Sequence, residues 1–114
     1  MEDCLFCKII RGEIPSNKLY EDDDILAFMD IDPQAPLHFL VVPKRHIDDA
    51  AQLAAGDGAL LAHIFATAAS LCAQQGYGPG GYRVVTNVGK DGGQSVEHLH
   101  FHVLAGRRLA WPPG

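Results

Sequence analysis

Nowhere in its 114 residues does the chain run about 18 apolar positions together, which predicts no membrane-spanning segment and no membrane partner. Basic residues are scarce: 9 Lys and Arg stand against 14 Asp and Glu, a formal charge of −5. Without a basic stripe, non-specific nucleic-acid binding is excluded. The opening Met1-Glu2-Asp3-Cys4 lacks a basic segment followed by an apolar stretch, so secretion is not expected. Cysteine is sparse and odd in number, with Cys4, Cys7 and Cys72 alone. A disulfide framework is therefore not expected, and the C-x-x-C spacing of the first two is typical of a metal or redox pair. These features together point to a reducing compartment, the cytoplasm. Internal repeats, low-complexity linkers and a βαβ rhythm are also missing, which argues against a Rossmann-type sheet.

What is present suits one domain spanning 1–114, with 47% hydrophobic and 20% charged residues. A core of this size has a modest margin, so burial against a partner or a bound metal would help. Histidine stands out, with six against a single tryptophan.

The spacing predicts a short N-terminal helix over Cys4–Arg11, with Leu5, Phe6 and Ile9 inward and Gly12 at its end. Lys18–Glu21 and Ile25–Asp30 read as two strands joined by the acidic turn Asp22-Asp23-Asp24, a solvated turn. Leu37–Val42 reads as a buried strand ended by Pro43. One long helix follows, capped by Asp57 and closed by Gly76. Leu61, Ile64, Phe65, Ala68, Leu71 and Cys72 form its apolar face, and His63 falls off that face onto the surface. Tyr82–Val88 and Val96–Leu104 read as the last two strands. Strands, one helix and strands again indicate an antiparallel α+β fold.

The final segment carries the chemistry. His98, His100 and His102 alternate with Leu99, Phe101 and Val103, so a strand would put three imidazoles on one face and three apolar side chains on the other. Such a row fits two uses: an H-x-H pair ligating a metal, or an imidazole nucleophile with neighbours that orient it and move protons. The preceding Gly92-Gly93-Gln94-Ser95 loop offers close backbone approach, N–H donors and a hydroxyl, which suit phosphate oxygens.

His98-Leu99-His100-Phe101-His102-Val103-Leu104 resembles the signature of the histidine triad (HIT) superfamily of nucleotide-binding hydrolases and transferases. Cys4–Ile10, Ile14-Pro15, Ala27–Ile31, His38–Lys44, Gly93–Val96 and the terminal Trp111-Pro112-Pro113-Gly114 are similar to its histidine-triad nucleotide-binding (Hint) branch. The resemblance covers nearly the whole chain. It implies an antiparallel sheet of about five strands with one long helix and a short N-terminal helix, two copies pairing into a homodimer with a continuous sheet. It also implies hydrolysis of nucleoside phosphoramidates, with purine nucleoside monophosphates and their phosphoramidates as ligands.

Carried over residue by residue, His100 resembles the nucleophile that attacks the α-phosphorus to form a nucleotidyl-histidine. His102 and His38 resemble the groups that hold phosphate oxygens and steer protons, and Ser95 the hydroxyl that binds phosphate or protonates the leaving nitrogen. Asp30 resembles the ribose-binding carboxylate, although it could merely shape a turn. Ile31 would pack on the base, Asn87 and the Gly93-Gln94 backbone would reach the phosphate, and Trp111 would lie near the partner's site. In bacterial relatives with the C-x-x-C pair, two thiolates and two histidines hold a structural zinc; the matching residues are Cys4, Cys7, His46 and His98, and no cofactor is needed for catalysis. Left open are an empty or redox-active cysteine pair, a dinucleoside polyphosphate hydrolase, a binding module with incidental hydrolysis, and a zinc-catalytic hydrolase. Glu97 departs from the family pattern, where a neutral or aromatic residue is usual.

Overall fold

The computed structural model describes residues 3–114; Met1 and Glu2, half of the opening tetrapeptide, lie outside the described residues. The first helix, α1 (Leu5–Ile10), starts at Cys4, whose Sγ accepts the Cys7 N–H at 3.3 Å in the position of an N-cap oxygen. It buries Phe6, Cys7 and Ile9, whereas Leu5, expected inward, is 43% exposed.

Five strands follow in the predicted order: β1 (Lys18–Glu21), β2 (Ile25–Met29), β3 (Leu37–Pro43), β4 (Tyr82–Val85), which stops three residues short of the expected Val88, and β5 (Phe101–Ala105). They form one antiparallel sheet in the order β1-β2-β3-β5-β4. Successive residues of a strand face opposite ways, and here both faces are covered. On one, Ile25, Ala27, Phe39, Val41, Phe101 and Val103 pack beneath α2 (Gly58–Gln74) through Ile64, Ala68, Leu71 and Cys72. On the other, Leu26, Phe28, Leu40 and Val42 pack against Phe6 and Ile9 of α1.

By length and composition the stretch Ala55–Gln74 could cross a membrane, contrary to the expectation that the chain holds no such segment. Polar residues interrupt it, and it lays one face on the sheet, with Thr67 buried among the apolar side chains. Phe65, expected in that face, is 47% exposed and touches Phe101 only edge-on. Asp57 occupies the N-cap position but does not cap α2 with its side chain; its carboxylate instead accepts from Ala54 N–H at 2.9 Å and Arg45 at 2.6 Å.

The acidic turn is built rather than merely solvated. Asp22 accepts from the Asp24 and Ile25 N–H groups, the Tyr20 hydroxyl and His63 Nε2, all at 2.6–2.9 Å. Burial opposes its charge, but these donors outweigh it and hold the carboxyl far below its usual range. His63, predicted as an unassigned surface residue, thereby fastens α2 to the β1–β2 turn.

The last predicted strand is shorter than expected, since pairing starts only at Phe101. Residues 96–100 are drawn away toward the loop after β3: Leu99 N–H bonds the Ile47 carbonyl at 2.6 Å, and His98 Nε2–H bonds that of Pro43 at 2.8 Å. Just beyond β5, Gly106 has φ +97°, and a Cβ there would lie 2.8 Å from Pro36 and 2.9 Å from Tyr77, so only glycine fits.

Candidate active site and metal site

His100 is buried just before β5, edge-on to Phe6 and His102. Its Nδ1 lies 2.7 Å from the His98 carbonyl oxygen. A carbonyl can only accept, so the proton of neutral His100 sits on Nδ1 and the Nε2 lone pair is available. Thr86 Oγ1–H bonds the carbonyl of His100 at 2.8 Å and steadies its backbone.

The backbone also settles the neighbouring pair. Gln34 N–H points at His38 Nδ1 from 3.0 Å, so that nitrogen must accept and the His38 proton sits on Nε2. His38 Nε2–H then donates to His102 Nδ1 at 2.9 Å, which leaves His102 with its own proton on Nε2. Asp30 Oδ2 stands 3.4 Å from His38 Nε2 and 3.8 Å from His102 Nδ1. Its other oxygen accepts from Asp32 N–H at 2.8 Å, so Asp30 both shapes the turn and faces the imidazoles.

Burial pushes the His38 imidazole below its ordinary value, against the pull of Asp30 and Asp32. Burial does the same to His102, helped by its neighbours His100 and His38 and opposed by Asp30. Both rings are thus held neutral near pH 7. Asp30, His38 and His102 converge within 4.8 Å. A cation there would need the lone pair of His38 Nε2, the atom that the Gln34 bond requires to carry a proton.

The loop before the triad differs from expectation. A single helical turn, α3 (Gly89–Gly92), ends with Gly93 at φ +82°, and the N–H groups of Gly93 and Gln94 close it onto Lys90 and Gly89 at 3.1 and 3.0 Å. The backbone donors predicted for phosphate are therefore engaged within the turn. Gln94 is a brace: its Oε1 accepts from Gly89 N–H, and its amide donates to the carbonyls of Asp48 and Val96. Ser95 is exposed and lines an open cleft of about 720 Å³ with Cys4, His46, Asp48 and Glu97. Asn87 is half-buried beside Gly92. Ile31 and Trp111 are exposed, and the tail leading to Trp111 is held by Arg83, which donates to the Leu109 and Ala110 carbonyls at 3.3 and 3.0 Å.

A second cluster lies at the other end of the histidine row. Cys4, Cys7, His46 and His98 bring one ligand atom each to within 4.8 Å of one another. His98 Nδ1 is 3.3 Å from Cys4 Sγ, 3.5 Å from Cys7 Sγ and 3.1 Å from His46 Nδ1, and Cys7 Sγ is 3.3 Å from His46 Nδ1. Both rings commit their far nitrogen elsewhere: His98 Nε2–H to Pro43 O, and His46 Nε2–H to Asp48 Oδ1 at 2.8 Å. Two Nδ1 lone pairs therefore face each other and two sulfurs. Metal–ligand bonds of about 2.0–2.3 Å in a tetrahedron give donor separations of about 3.3–3.8 Å, close to those observed. The donor set and its outer hydrogen bonds fit a closed zinc site.

The model of the HIT domain family matches residues 11–109. The chain belongs to the HIT domain family. It is 53% identical over 113 residues to an uncharacterized HIT-like protein of Synechococcus elongatus, covering 99% of this chain and 98% of that one. The crystal structure of a HIT family hydrolase from Legionella pneumophila superposes with a TM-score of 0.96 at 50% identity, covering 98% of this chain and 100% of that chain. A histidine triad protein from Clostridium difficile gives 0.92 at 47% identity, covering 96% of each.

Within this HIT fold the three triad histidines separate: His98 lies in the cysteine cluster, while His100 and His102 adjoin His38 and Asp30. Gln34, Thr86 and Asp48 were missed in the sequence. Gln34 and Thr86 act on or beside backbone groups and leave no side-chain signature. The His-x-Asp spacing of His46 and Asp48 was the one legible hint of an outer carboxylate.

Proposed function

We propose that the chain is a purine nucleoside phosphoramidase, cleaving P–N bonds such as those of adenosine 5′-monophosphoramidate or an AMP–lysine amide. The observation that supports it is the proton arrangement: His100 with its Nε2 lone pair free, beside His102 with Nε2–H. In this reading His100 Nε2 attacks the α-phosphorus and the P–N bond breaks. The amine leaves after taking a proton, from Ser95 or from His102 Nε2–H, because an unprotonated amine leaves poorly. Water then cleaves the nucleotidyl-His100 and releases the nucleoside monophosphate. His38 Nε2–H fixes His102 through its hydrogen bond, and His102 Nε2 regains from the attacking water the proton it gave. Asp30 takes the ribose hydroxyls, and Asn87 and Ser95 meet the phosphate. Ile31 packs on the purine. Gly93 and Gln94 act by shaping the loop.

The chain works as one domain, 1–114, in the cytoplasm, where its free thiols stay reduced. Two copies pair along the open edge at β4, where Tyr82, Val88 and the Trp111 tail are exposed. Trp111 then lies at the partner's site. Cys4, Cys7, His46 and His98 hold a structural zinc, whose chemistry is to tie α1 to the sheet.

Turnover of adenosine phosphoramidate, an AMP–lysine amide and a diadenosine polyphosphate tests the reading. Rapid cleavage of the first two is expected, and His100→Ala should abolish it while AMP still binds. Cleavage of the dinucleotide alone would make the chain a dinucleoside polyphosphate hydrolase, and binding without turnover would make it a nucleotide-binding module.

A further inference from the structure

His98 is fully buried, and its ring is fixed on both sides. Nε2–H holds the Pro43 carbonyl, and Nδ1 sits among Cys4 Sγ, Cys7 Sγ and His46 Nδ1. The carbonyl of the same residue accepts the Nδ1–H of His100 at 2.7 Å. The next peptide is pinned as well, since Leu99 N–H reaches Ile47 O at 2.6 Å, one residue beyond His46. Phe6, between the two cysteines in α1, packs edge-on with ring centroids 6.0 Å from His98 and 5.0 Å from His100. The ties that hold the cluster and those that orient the nucleophile therefore pass through one residue.

We propose that His98 is a positioning residue, through which cation occupancy of the Cys4–Cys7–His46–His98 cluster sets the orientation of His100. With a cation between them, the two Nδ1 lone pairs and the sulfurs share one attractive centre, and the His98 ring stays where its carbonyl meets His100. Without it, lone pairs 3.1 Å apart repel unless a proton intervenes, and the buried ring relaxes. Its backbone moves with it, and so does the acceptor that keeps His100 Nε2 unprotonated. A misplacement of about 1 Å in a reacting group costs on the order of 100-fold in rate. A cluster that only stapled α1 to the sheet would change thermal stability and leave the nucleophile alone.

The catalytic arm of the test rests on the phosphoramidase reading; the spectroscopic arm does not. Zinc-loaded protein is titrated with a chelator, and bound zinc, kcat and KM for adenosine phosphoramidate, and the nitrogen-edited NMR signal of His100 Nδ1–H are followed together. Asp48→Ala is treated in parallel. Asp48 supports His46 without being a ligand, and its loss should weaken zinc affinity roughly 10–100-fold. The expected result is that kcat falls about 100-fold, with KM little changed, in step with zinc release and with loss of the Nδ1–H signal. The Asp48→Ala curves should coincide with one another at lower chelator, and zinc should restore all of them.

If a still-folded protein loses zinc while the Nδ1–H signal and kcat persist, the proposal is overturned. Should release unfold the chain, replacing zinc by the larger cadmium ion keeps the cluster filled but moves its donors; an unchanged His100 signal in the cadmium form would equally overturn it. Zinc-loaded protein that fails to cleave the phosphoramidate refutes the function reading, and the NMR arm still decides the role of His98.

Discussion

His38 and His100 each commit one ring nitrogen to a backbone group of fixed character, a donor at Gln34 and an acceptor at His98. That commitment sets the pH behaviour of the site. Protonating His38 would place a hydrogen on Nδ1 against the Gln34 N–H, and burial already pushes His38 and His102 below their ordinary values. Phosphoramidate turnover should therefore stay flat from neutral pH down to about 6.5, the unperturbed histidine value, and fall only below it. An acid limb above that value would contradict the proton assignment. Asp30 favours the charged form of both rings, so Asp30→Asn should move the limb to still lower pH, read from the kcat profile. The identities of these histidines were legible because alternation and spacing are properties of the sequence. Their protons were not, since those depend on carbonyls and N–H groups that only the folded backbone delivers.

Strands β1 to β4, the long helix and the short first helix were legible from periodicity and from the glycines and prolines between them. The misreadings share a cause: a tertiary bond overrode a local pattern. Val96–His100 alternates like a strand, yet the Pro43 and Ile47 carbonyls take its polar groups before β5 begins. Gly93 and Gln94 look like a phosphate cradle, yet their N–H groups close α3. At this scale Gln94→Ala removes three hydrogen bonds that join the loop to Gly89, Asp48 and Val96. With each bond contributing about 1 kcal/mol, chemical denaturation should show a loss of about 2–3 kcal/mol. Gly106→Ala should cost a further one to three kcal/mol by itself, because the added methyl meets Pro36 and Tyr77 at the end of β5. Full stability of either variant in a urea titration would count against these contacts.

For the molecule as a whole, charge is arranged so that acid weakens the fold in two stages. His38 and His102 bind protons less tightly when folded than when unfolded, so the unfolded state takes up more protons as pH drops below about 6.5 and stability falls. Asp22 behaves in the opposite sense to a shielded acid: its donors keep it ionised to low pH, and its stabilisation is full above the ordinary carboxylate range and is lost only in strong acid. Calorimetry should show Tm decreasing between pH 7 and 5, with Asp22→Asn lowering Tm throughout that interval. The sequence composition showed acidity but could not place it. That one carboxylate joins a hairpin to the long helix through His63 needed the fold.

The two faces of the sheet are unequally covered: a 17-residue helix lies over one and a 6-residue helix over the other. Opening free energy follows how much apolar contact an element makes, so the thin side should part from the sheet far more often than the thick one. Since His100 and Phe6 lie on the thin side, the nucleophile belongs to the less cohesive half of the molecule. In zinc-free protein, amide hydrogen exchange should divide accordingly, with α1 exchanging through frequent local excursions and β3 and α2 only through global unfolding. Without the metal the site would then lie beneath a hinged cover, whose rate of lifting limits how quickly reagents, proteases or ions reach the histidines from within.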